Sequence, residues 1–474
     1  MGSLSSPKFQ VNKIAIIGAG PGGLAAAKYL RAQGTFPLIT IFEQQDEVGG
    51  VWNYSKVSGG PYPAPQRDPF FPPDEPLRTP SHAAPIFPSP MYDKLHSNLP
   101  GTLMNFSDQS FRQDSWVFPS REDVQEYLIK YAEDVRHLIH FCVQVTKVSH
   151  KLVDERDQWM IEARSTMSGQ AIDHVFDAVV VANGHYSVPF IPGMANMPQF
   201  QETYPSIITH SKQYRAASEF KDKKVIIIGN GPSGIDIALQ INRVSKGKAL
   251  LSVRTPTPPA KLEHTGCEEV QEIIEFLVDQ RGVCFKGGRV ETDIDAIVFC
   301  TGFLCSYPFL TDLQHKLITN GQGVHGLYKH VFHIHHPTLV FPALNMKSVP
   351  WPLAEAQAAV FSAVWSNSLP LPSVEVMEDW SRKLEEREGE ALHVFPRLGD
   401  GLYVNELHDW VKQAGRAGKE PPRWDDRMFW QRSIFLEAKL RFEKQGCKAT
   451  TLEELGLCYD PDWNKQAVED SQGP

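Results

Sequence analysis

Two eleven-residue segments carry glycines at the spacing that binds the pyrophosphate of a dinucleotide. KIAIIGAGPGG occupies residues 13–23, and KVIIIGNGPSG occupies residues 224–234. In the pattern Gly-x-Gly-x-x-Gly, the first glycine permits a tight turn, the second lets the backbone approach the phosphates, and the third allows close helix packing. The N-terminus of the following helix adds N–H donors and a positive dipole. The repetition predicts two dinucleotide sites in one chain.

The two sites differ in the residue about 20 positions after the third glycine, where the ribose binds. That residue is Glu43 after the first segment and Arg254 after the second. A carboxylate accepts hydrogen bonds from ribose hydroxyls and repels a 2′-phosphate, so Glu43 favours FAD or NAD. A guanidinium matches phosphate oxygens, so Arg254 favours NADPH, with a solvated surface arginine as the alternative. Together the two sites predict electron transfer from NADPH to FAD.

Each glycine segment must be positioned by a strand, a helix and a second strand. Apolar β-branched runs precede the glycines, helical patterns follow them, and further apolar runs end at the two residues that distinguish the sites. These βαβ units comprise residues 13–18, 24–34 and 37–43 in the first case and residues 224–229, 233–244 and 249–254 in the second. The patterns indicate an α/β fold.

Three other segments have a readable pattern. VFDAVVVANG at residues 175–184 predicts a buried strand that ends in a glycine turn, and DAIVFCTGF at residues 295–303 is similar to it. Ser120 and Asp123 have the spacing of a capping box at the start of a helix. Prolines crowd residues 55–90 and predict an ordered surface excursion without regular structure.

The composition restricts the class of protein. A chain of 474 residues predicts two domains, and a net charge of -9 without a block of Lys and Arg argues against a nucleic-acid partner. No run of about 18 apolar residues is present, so we expect no membrane span. The first residues lack the apolar stretch of a signal peptide, and seven scattered cysteines without a CxxC pair indicate reduced thiols. We therefore expect a cytoplasmic protein with a small-molecule substrate.

On these residues the sequence resembles the flavin-containing monooxygenases, the class B flavoprotein monooxygenases, over most of its length. GAGPGG with Glu43 resembles the FAD fingerprint of that family, and GNGPSG resembles its NADPH fingerprint. VGGVW, which ends at Trp52, resembles the GGxW segment that lies against the flavin. YDKLHSNLPGTLMNFSD at residues 92–108 resembles the segment with the family's active-site asparagine, which here is Asn98.

Two later segments extend the resemblance. FCTGF at residues 299–303 resembles an ATGY-like linker, and VPWPLAEAQA around Gln357 resembles the segment that returns to the flavin. The resemblance implies two Rossmann-like domains with the NADPH domain inserted into the FAD domain. We expect the first part of the FAD domain at residues 1–210 and the NADPH domain at residues 211–320. Residues 321–474 are expected to continue the FAD domain and to form a C-terminal helical cap.

The fingerprints and the resemblance together assign roles to particular residues. Asn98 is the expected catalytic residue. The expected cofactor-binding residues are Gly18, Gly20, Pro21, Gly22, Gly23, Glu43, Gln44, Gly50, Val51, Trp52, Ser97, Asn98, Gly229, Gly231, Pro232, Ser233, Gly234, Arg254, Thr301 and Gln357. Asn98 before Leu-Pro is otherwise typical of a turn, and a tryptophan such as Trp52 is otherwise typical of a core.

One motif departs from the family pattern FxGxxxHxxxY. The chain has YPSIITHSKQY, in which Tyr204 replaces the Phe and Ser206 replaces the Gly, while His210 and Tyr214 are retained. This departure concerns the hinge between the domains, and we expect a structural role for His210. Related Baeyer-Villiger enzymes end the motif in Trp-Pro, so Tyr214-Arg215 weighs against ketone oxidation.

The resemblance implies an NADPH- and O2-dependent monooxygenase. NADPH would reduce FAD, O2 would add to give a C4a-hydroperoxyflavin, and a nitrogen or sulfur atom of a small molecule would take the distal oxygen. Baeyer-Villiger insertion and N-hydroxylation of one specialised amine are the alternatives on the same scaffold. A disulfide reductase is disfavoured because the chain lacks a CxxC pair. A homodimer is left open.

The segment VFHIHHPTLVF raises the question of a metal. His333 and His335 would share one face of a strand, with His336 beside them, but no carboxylate or cysteine at ligand spacing completes a set. The sequence therefore predicts no metal site.

Overall fold

The first glycine segment lies at the centre of a seven-stranded sheet. In the computed structural model, which describes residues 8–80, 83–415, 418–461 and 463, the strand Lys13–Ile17 pairs in parallel with Leu38–Phe42 and Ala178–Val181. Its four apolar residues are buried, as in a parallel sheet covered on both faces. The strand order is Leu327–Tyr328, Phe332–His333, Leu339–Val340, Ala178–Val181, Lys13–Ile17, Leu38–Phe42 and Ile139–His140. Strands from beyond residue 320 thus complete a sheet that begins at residue 13.

The second glycine segment lies at the centre of a five-stranded parallel sheet. Its strand Val225–Ile228 pairs with Leu250–Val253 and with Ala296–Phe299. The strand order is Glu268–Gln271, Leu250–Val253, Val225–Ile228, Ala296–Phe299 and Ile208–His210. The chain leaves the first sheet, builds the second and then returns, so the fold has two Rossmann-like domains, with the second inserted into the first.

The strand Ile208–His210 bears on the boundary between the domains. A boundary after residue 210 would leave this strand in the first domain, whereas it pairs in parallel with Ala296–Phe299 of the second sheet. Met197 and Phe200 also lie in the core of the second domain. The strand Ile208–His210 has only three residues and no glycine turn after it, so the sequence does not show which sheet it joins. We propose that the inserted domain extends from about residue 190 to about residue 320.

The helices follow the same division. Pro21–Gln33 ends at Gly34, whose φ of 70° is readily adopted by glycine, and Pro232–Asn242 follows the second glycine segment. Ser120 forms the predicted capping box with Asp123. The other α-helices described are Gly101–Met104, Arg121–Tyr131, Met197–Thr203, Pro259–Thr265, Gln314–Leu317, Pro350–Trp365, Val374–Glu388, Gly399–Lys412 and Asp426–Lys444. None of the described helices is long and apolar enough to cross a bilayer.

One helix, Pro350–Trp365, forms the centre of the first domain. All of its residues after Pro350 are buried, and its apolar side chains share a core with the helix Pro21–Gln33. The predicted C-terminal helices pack outside it, and Gly399–Lys412 contributes Tyr403 and Val404 to the same core. Asp426–Lys444 contacts Gly101–Met104 of the first domain and Pro259–Thr265 of the second. The helix Asp426–Lys444 therefore contacts both domains.

Smaller antiparallel sheets complete the structure. One consists of Val143–Val153, Arg156–Ser165 and Ala171–Phe176. A second consists of Ile273–Leu277, Gly282–Phe285 and Val290–Glu291. A third pairs Val188–Pro189 with Phe303–Leu304, where the chain passes between the domains.

The proline-rich segment contains no helix or strand among its described residues, as predicted. The prediction that it stays on the surface is wrong for Tyr62 and Ala64, which lie in the core of the second domain. The backbone N–H of Ala64 donates to Gln201 Oε1 over 2.7 Å, and that of Gln66 donates to the carbonyl of Ile191 over 3.0 Å. The segment therefore links the two domains.

Candidate functional site

The first fingerprint excludes side chains at its glycines. Gly18 has a φ of 102°, and a Cβ there would lie 2.5 Å from the carbonyl oxygen of Ala182. A Cβ on Gly23 would overlap the carbonyl oxygen of Gly18. The helix begins at Pro21 with Gly20 as its N-cap, and no described side chain caps it. Its first-turn N–H groups are therefore available to the pyrophosphate of a dinucleotide.

Glu43 lies at the end of the strand Leu38–Phe42 and is 3% exposed. Its Oε2 accepts the N–H of Ala19 at 2.8 Å, and its Oε1 accepts the N–H of Gln45 at 2.9 Å. Burial raises the pKa of Glu43, and the backbone hydrogen bonds oppose that effect. Each carboxylate oxygen can accept a further hydrogen bond, so Glu43 can bind ribose hydroxyls. Gln44 follows it and accepts a 3.3 Å hydrogen bond from Gln144.

The GGVW segment lies directly against this fingerprint. A Cβ on Gly20 would be 3.6 Å from the Cα of Gly50, and the N–H of Gly49 donates to the carbonyl of Ala19 over 3.0 Å. Residues Gly50–Trp52 form a single 3-10 turn. Trp52 is partly buried against the core of the first domain, and the carbonyl of Val51 accepts the hydroxyl of Ser89. The structure thus places the segment beside the candidate flavin site.

Ser97 and Asn98 have different environments. Ser97 is buried, its hydroxyl donates to the carbonyl of Leu99 over 2.7 Å, and its carbonyl accepts Lys439 Nζ over 2.9 Å. Asn98 is exposed, and its side chain makes no hydrogen bond with the residues that the structure describes. A turn-stabilising asparagine would bond to nearby backbone. Ser97 therefore fixes the segment, and the amide of Asn98 is available to a ligand.

The second fingerprint repeats the geometry of the first. Gly229 has a φ of 104°, and a Cβ there would lie 2.7 Å from the carbonyl oxygen of Cys300. A Cβ on Gly234 would overlap the carbonyl oxygen of Gly229, whereas one on Gly231 would meet no heavy atom within 4 Å. This contact explains why DAIVFCTGF is similar to VFDAVVVANG. Cys300 lies against Gly229 in the second domain as Ala182 lies against Gly18 in the first. Pro232 and Ser233 begin the helix and are exposed.

Arg254 directly follows the strand Leu250–Val253 and is exposed. It forms no hydrogen bond or ion pair with any residue in the described part of the chain. The loop beside it is fixed by Asn230, whose amide donates to the carbonyl of Thr255 over 2.9 Å and to Thr257 Oγ1 over 3.0 Å. The guanidinium is therefore available to an anion next to the second fingerprint.

We expect Arg254→Ala to raise the KM for NADPH about tenfold or more and to change the KM for NADH little, because a hydrogen bond to a charged group contributes about 1.5–3 kcal/mol. Steady-state kinetics with both nucleotides measure this ratio. Arg243→Ala, on the same domain, is the control and should change neither KM. Equal changes with NADPH and NADH in Arg254→Ala would show that this side chain does not contact the 2′-phosphate.

The hinge residues are bonded to one another beside the two strands where the chain passes between the domains. The hydroxyl of Thr301 donates to the carbonyl of Phe190, and His210 Nε2 donates to the carbonyl of Gly302 over 3.0 Å. His210 Nδ1 accepts the N–H of Lys212 over 3.1 Å, which fixes the ring tautomer. Burial lowers the pKa of His210 to about 3, so the ring is neutral. These contacts make His210 a residue of the junction.

The departures from the family motif are accommodated without strain. Ser206 is exposed and is not among the described residues with positive φ, so its backbone does not require glycine. Arg215 is buried and donates to the carbonyls of Ser89 and Lys212, both over 2.9 Å. Tyr214 donates to Gln240 over 3.0 Å. Tyr214 and Arg215 are therefore held by hydrogen bonds near the domain junction.

Gln357 is linked to the first fingerprint through Ala343. It is fully buried, its Oε1 accepts the N–H of Ala343 at 2.8 Å, and its Nε2 donates to the hydroxyl of Tyr403 over 3.1 Å. Ala343 in turn borders the fingerprint, since a Cβ on Gly22 would lie 3.8 Å from its Cβ. Gln357 thus holds a loop that contacts the candidate flavin site.

Sequence reasoning missed four buried polar atoms on the segments that follow the strands Ala178–Val181, Phe303–Leu304 and Leu339–Val340. None of them has a hydrogen-bond partner among the described residues; they are His185 Nε2, Ser306 Oγ, Tyr307 OH and Asn345 Nδ2. Asn183, whose Cα is 3.5 Å from the Cβ position of Gly18, donates to the carbonyl of Ser306 over 3.3 Å. These atoms come from three segments distant in sequence, and no motif marks them.

Comparisons with known proteins agree with this geometry. A model of flavin-binding monooxygenase-like proteins matches residues 88–258 and 264–415, and a model of NAD(P)-binding Rossmann-like domains matches residues 16–70. The thiol-specific monooxygenase of Saccharomyces cerevisiae is 32% identical, with 88% of this chain and 89% of that protein covered. Flavin-containing monooxygenase FMO GS-OX-like 2 of Arabidopsis thaliana is 31% identical, with 88% and 87% covered.

Solved structures give the same result. S-allyl-L-cysteine S-oxygenase from Allium sativum superposes with a TM-score of 0.74 and 25% identity, covering 98% of this chain and 99% of that chain. Tmm from Pelagibacter sp. strain HTCC7211 superposes with a TM-score of 0.69 and 27% identity, covering 90% of each. With both fingerprints in place, the chain belongs to the flavin-binding monooxygenase-like family and is a flavin-containing monooxygenase with FAD and NADPH as cofactors.

Proposed function

We propose that this enzyme transfers one oxygen atom from O2 to a nucleophilic sulfur or nitrogen atom of a small molecule, with sulfur the first choice. The observation that carries the proposal is the pair of intact fingerprints, of which one ends in buried Glu43 and the other in exposed Arg254. Sulfur is favoured because two similar proteins are named as a thiol-specific monooxygenase and an S-oxygenase. For a thioether substrate, the balanced reaction is thioether + O2 + NADPH + H⁺ → sulfoxide + H2O + NADP⁺.

The residues of the chain would bind and orient the two cofactors. Glu43 would accept hydrogen bonds from the ribose of FAD, and the N-terminus of the helix Pro21–Gln33 would donate to its pyrophosphate. Arg254 would bind the 2′-phosphate of NADPH, beside the helix Pro232–Asn242. Bound FAD, once reduced by NADPH, supplies the activation of O2. Trp52 would cover the site and exclude water.

Asn98 is the residue that we propose to act at the reacting centre. Its amide donates and accepts hydrogen bonds but has no proton to release at neutral pH. It can therefore orient NADP⁺ or an oxygen atom without acting as an acid. A sulfur lone pair is nucleophilic by itself, so no protein base is required.

The test supplies NADPH and O2 to the FAD-loaded enzyme with methyl p-tolyl sulfide, N,N-dimethylbenzylamine or cyclohexanone. We expect sulfoxide in a ratio near one to the NADPH consumed, a smaller yield of N-oxide and no lactone. In Asn98→Ala we expect NADPH consumption to continue while H2O2 replaces most of the sulfoxide. Chromatography of products and a peroxide assay measure both quantities.

Asn320→Ala is the matched control, because Asn320 is an exposed asparagine that bonds to Glu390 over 3.0 Å. It should leave the ratio of sulfoxide to NADPH unchanged. Lactone as the main wild-type product would establish the Baeyer-Villiger alternative. Wild-type enzyme that releases only H2O2 with every sulfide and amine would overturn the proposed function.

A further inference from the structure

A second group of residues suited to chemistry lies outside both fingerprints. His150 is on the strand Val143–Val153 and Asp157 is on the strand Arg156–Ser165, which pair as an antiparallel hairpin. His336 comes from the connection between Phe332–His333 and Leu339–Val340. Two imidazoles and one carboxylate are therefore brought together from two parts of the chain that are separated by about 180 residues. We call this group the histidine–aspartate cluster.

The ligand atoms converge on one point. His150 Nε2 lies 2.7 Å from Asp157 Oδ1, and His336 Nδ1 lies 3.1 Å from the same oxygen. One ligand atom from each of the three residues lies within 4.8 Å of the other two. Zinc with bonds of about 2.0–2.2 Å in tetrahedral geometry holds its ligand atoms about 3.3 Å apart. Shifts of a few tenths of an ångström would open the carboxylate contacts to that separation, and the two rings would close on the ion.

Outer hydrogen bonds hold the cluster in this arrangement. Asp157 Oδ2 accepts the hydroxyl of Thr338 at 2.6 Å, and Thr338 Oγ1 accepts Trp159 Nε1 at 3.0 Å. The backbone N–H of His336 donates to His333 Nδ1 over 3.0 Å. In metal sites, such outer partners orient the ligands and contribute to affinity. The carboxylate of Asp157 therefore needs little ordering when an ion binds, and the backbone of His336 is fixed beside it.

The charge and exposure of the cluster also suit a cation. The side chains of His150, Asp157 and His336 are 17%, 11% and 24% exposed, so an ion can enter and water can complete its coordination. Imidazole ligands favour zinc and other transition metals over Mg²⁺ or Ca²⁺, which prefer oxygen. The simpler alternative is a hydrogen-bonded triad in which both rings donate N–H to Asp157. In a metal complex, the ion replaces those two protons.

We propose that His150, Asp157 and His336 form a binding site for one divalent transition-metal ion, with zinc the best match. The ion would connect the hairpin to the connection that leads into the strand Leu339–Val340 of the first sheet. This role is structural and is independent of the oxygen transfer. This proposal reverses the expectation from the sequence that no metal site is present. The segment with His333, His335 and His336 has no carboxylate at ligand spacing, because Asp157 lies far away along the chain.

The test uses tag-free, FAD-loaded enzyme that has been treated with a chelator and dialysed, with Co²⁺ as a spectroscopic probe and Zn²⁺ as a competitor. We expect one Co²⁺ per chain, visible bands of tetrahedral intensity, their loss on addition of Zn²⁺, and a higher unfolding temperature with Zn²⁺. His336→Gln and Asp157→Asn should each weaken binding by about 100-fold or more, since loss of outer partners alone costs about 10- to 100-fold.

His335→Gln is the matched control, because His335 is the exposed neighbour that pairs with Glu378 over 3.5 Å. It should retain the Co²⁺ bands and the zinc-dependent rise in unfolding temperature. Flavin absorbance and the metal-free unfolding temperature show whether each variant has folded. Folded wild-type enzyme without saturable Co²⁺ binding would overturn the proposal, and so would binding that is unchanged in folded His336→Gln.

Discussion

Gly23→Ala is expected to abolish the retention of FAD. The added Cβ would overlap the carbonyl oxygen of Gly18 and would lie 3.3 Å from Ile16 Cγ2, so neither neighbour is the end of a flexible side chain. The helix must move away from the strand Lys13–Ile17, and the phosphate cradle between them is lost. We expect destabilisation of about 3 kcal/mol or more. The ratio of flavin absorbance to protein absorbance after purification measures the loss.

Gly22→Ala is the matched control for this prediction. A Cβ on Gly22 would make an ordinary contact of 3.8 Å with the Cβ of Ala343. Replacing glycine by alanine where the backbone conformation suits alanine otherwise stabilises a protein by about 0.4–1 kcal/mol. Gly22→Ala should therefore retain FAD and unfold at an equal or higher temperature. If both variants lost FAD equally, the steric explanation would be wrong.

Lys419→Met is expected to lower stability by about 3 kcal/mol at neutral pH, because it removes the cation from a buried ion pair. Lys419 Nζ lies 2.9 Å from Oε1 of Glu355, which is 0% exposed. Ser107 donates its N–H to Glu355 Oε2 over 2.8 Å and its hydroxyl to Oε1 over 2.7 Å. These bonds connect the central helix, the segment after Asn98 and the C-terminal region. The unfolding temperature, followed by flavin fluorescence, measures the loss.

The pH dependence of the stability loss in Lys419→Met shows whether the loss is electrostatic. Burial raises the pKa of Glu355 above its ordinary value of 4.5, and the charge of Lys419 is the largest opposing effect. A carboxyl with a raised folded-state pKa costs stability as pH rises above its unfolded pKa. The deficit of Lys419→Met should therefore be largest at neutral pH and shrink as pH falls toward 4.5.

Two further variants separate charge from packing. Glu355→Gln combined with Lys419→Met should recover most of the stability, because no uncompensated charge remains. Lys412→Met, at an exposed lysine near the same surface, should have little effect. A loss in Lys419→Met that is constant with pH would attribute the effect to packing.

Local features of the fold were predictable from the sequence. Each βαβ unit spans about 30 residues, and the steric need for glycine at Gly23 and Gly234 arises within it, from the carbonyl oxygens of Gly18 and Gly229. The capping box at Ser120 is equally local. Short-range periodicity and turn chemistry determine such elements, so the sequence pattern shows them directly.

Features that depend on distant residues were not predictable. The pair Glu355 and Lys419 and the histidine–aspartate cluster each join segments far apart in sequence. The strand Ile208–His210 has three residues, and its pairing with the second sheet depends on the path of the whole chain. The sequence of the proline-rich segment indicated that it lacks regular structure, but it did not indicate that Tyr62 is buried.

The interrupted first sheet has a consequence for biosynthesis. Its strand Leu339–Val340 and its central helix Pro350–Trp365 are translated after the entire inserted domain. At about 5–20 residues per second, the ribosome needs roughly 15–65 s to proceed from Gln33 to Trp365. During that interval the nascent helix Pro21–Gln33 lacks the partner that covers its apolar face. We expect the inserted domain to fold first and FAD to be captured only near the end of translation.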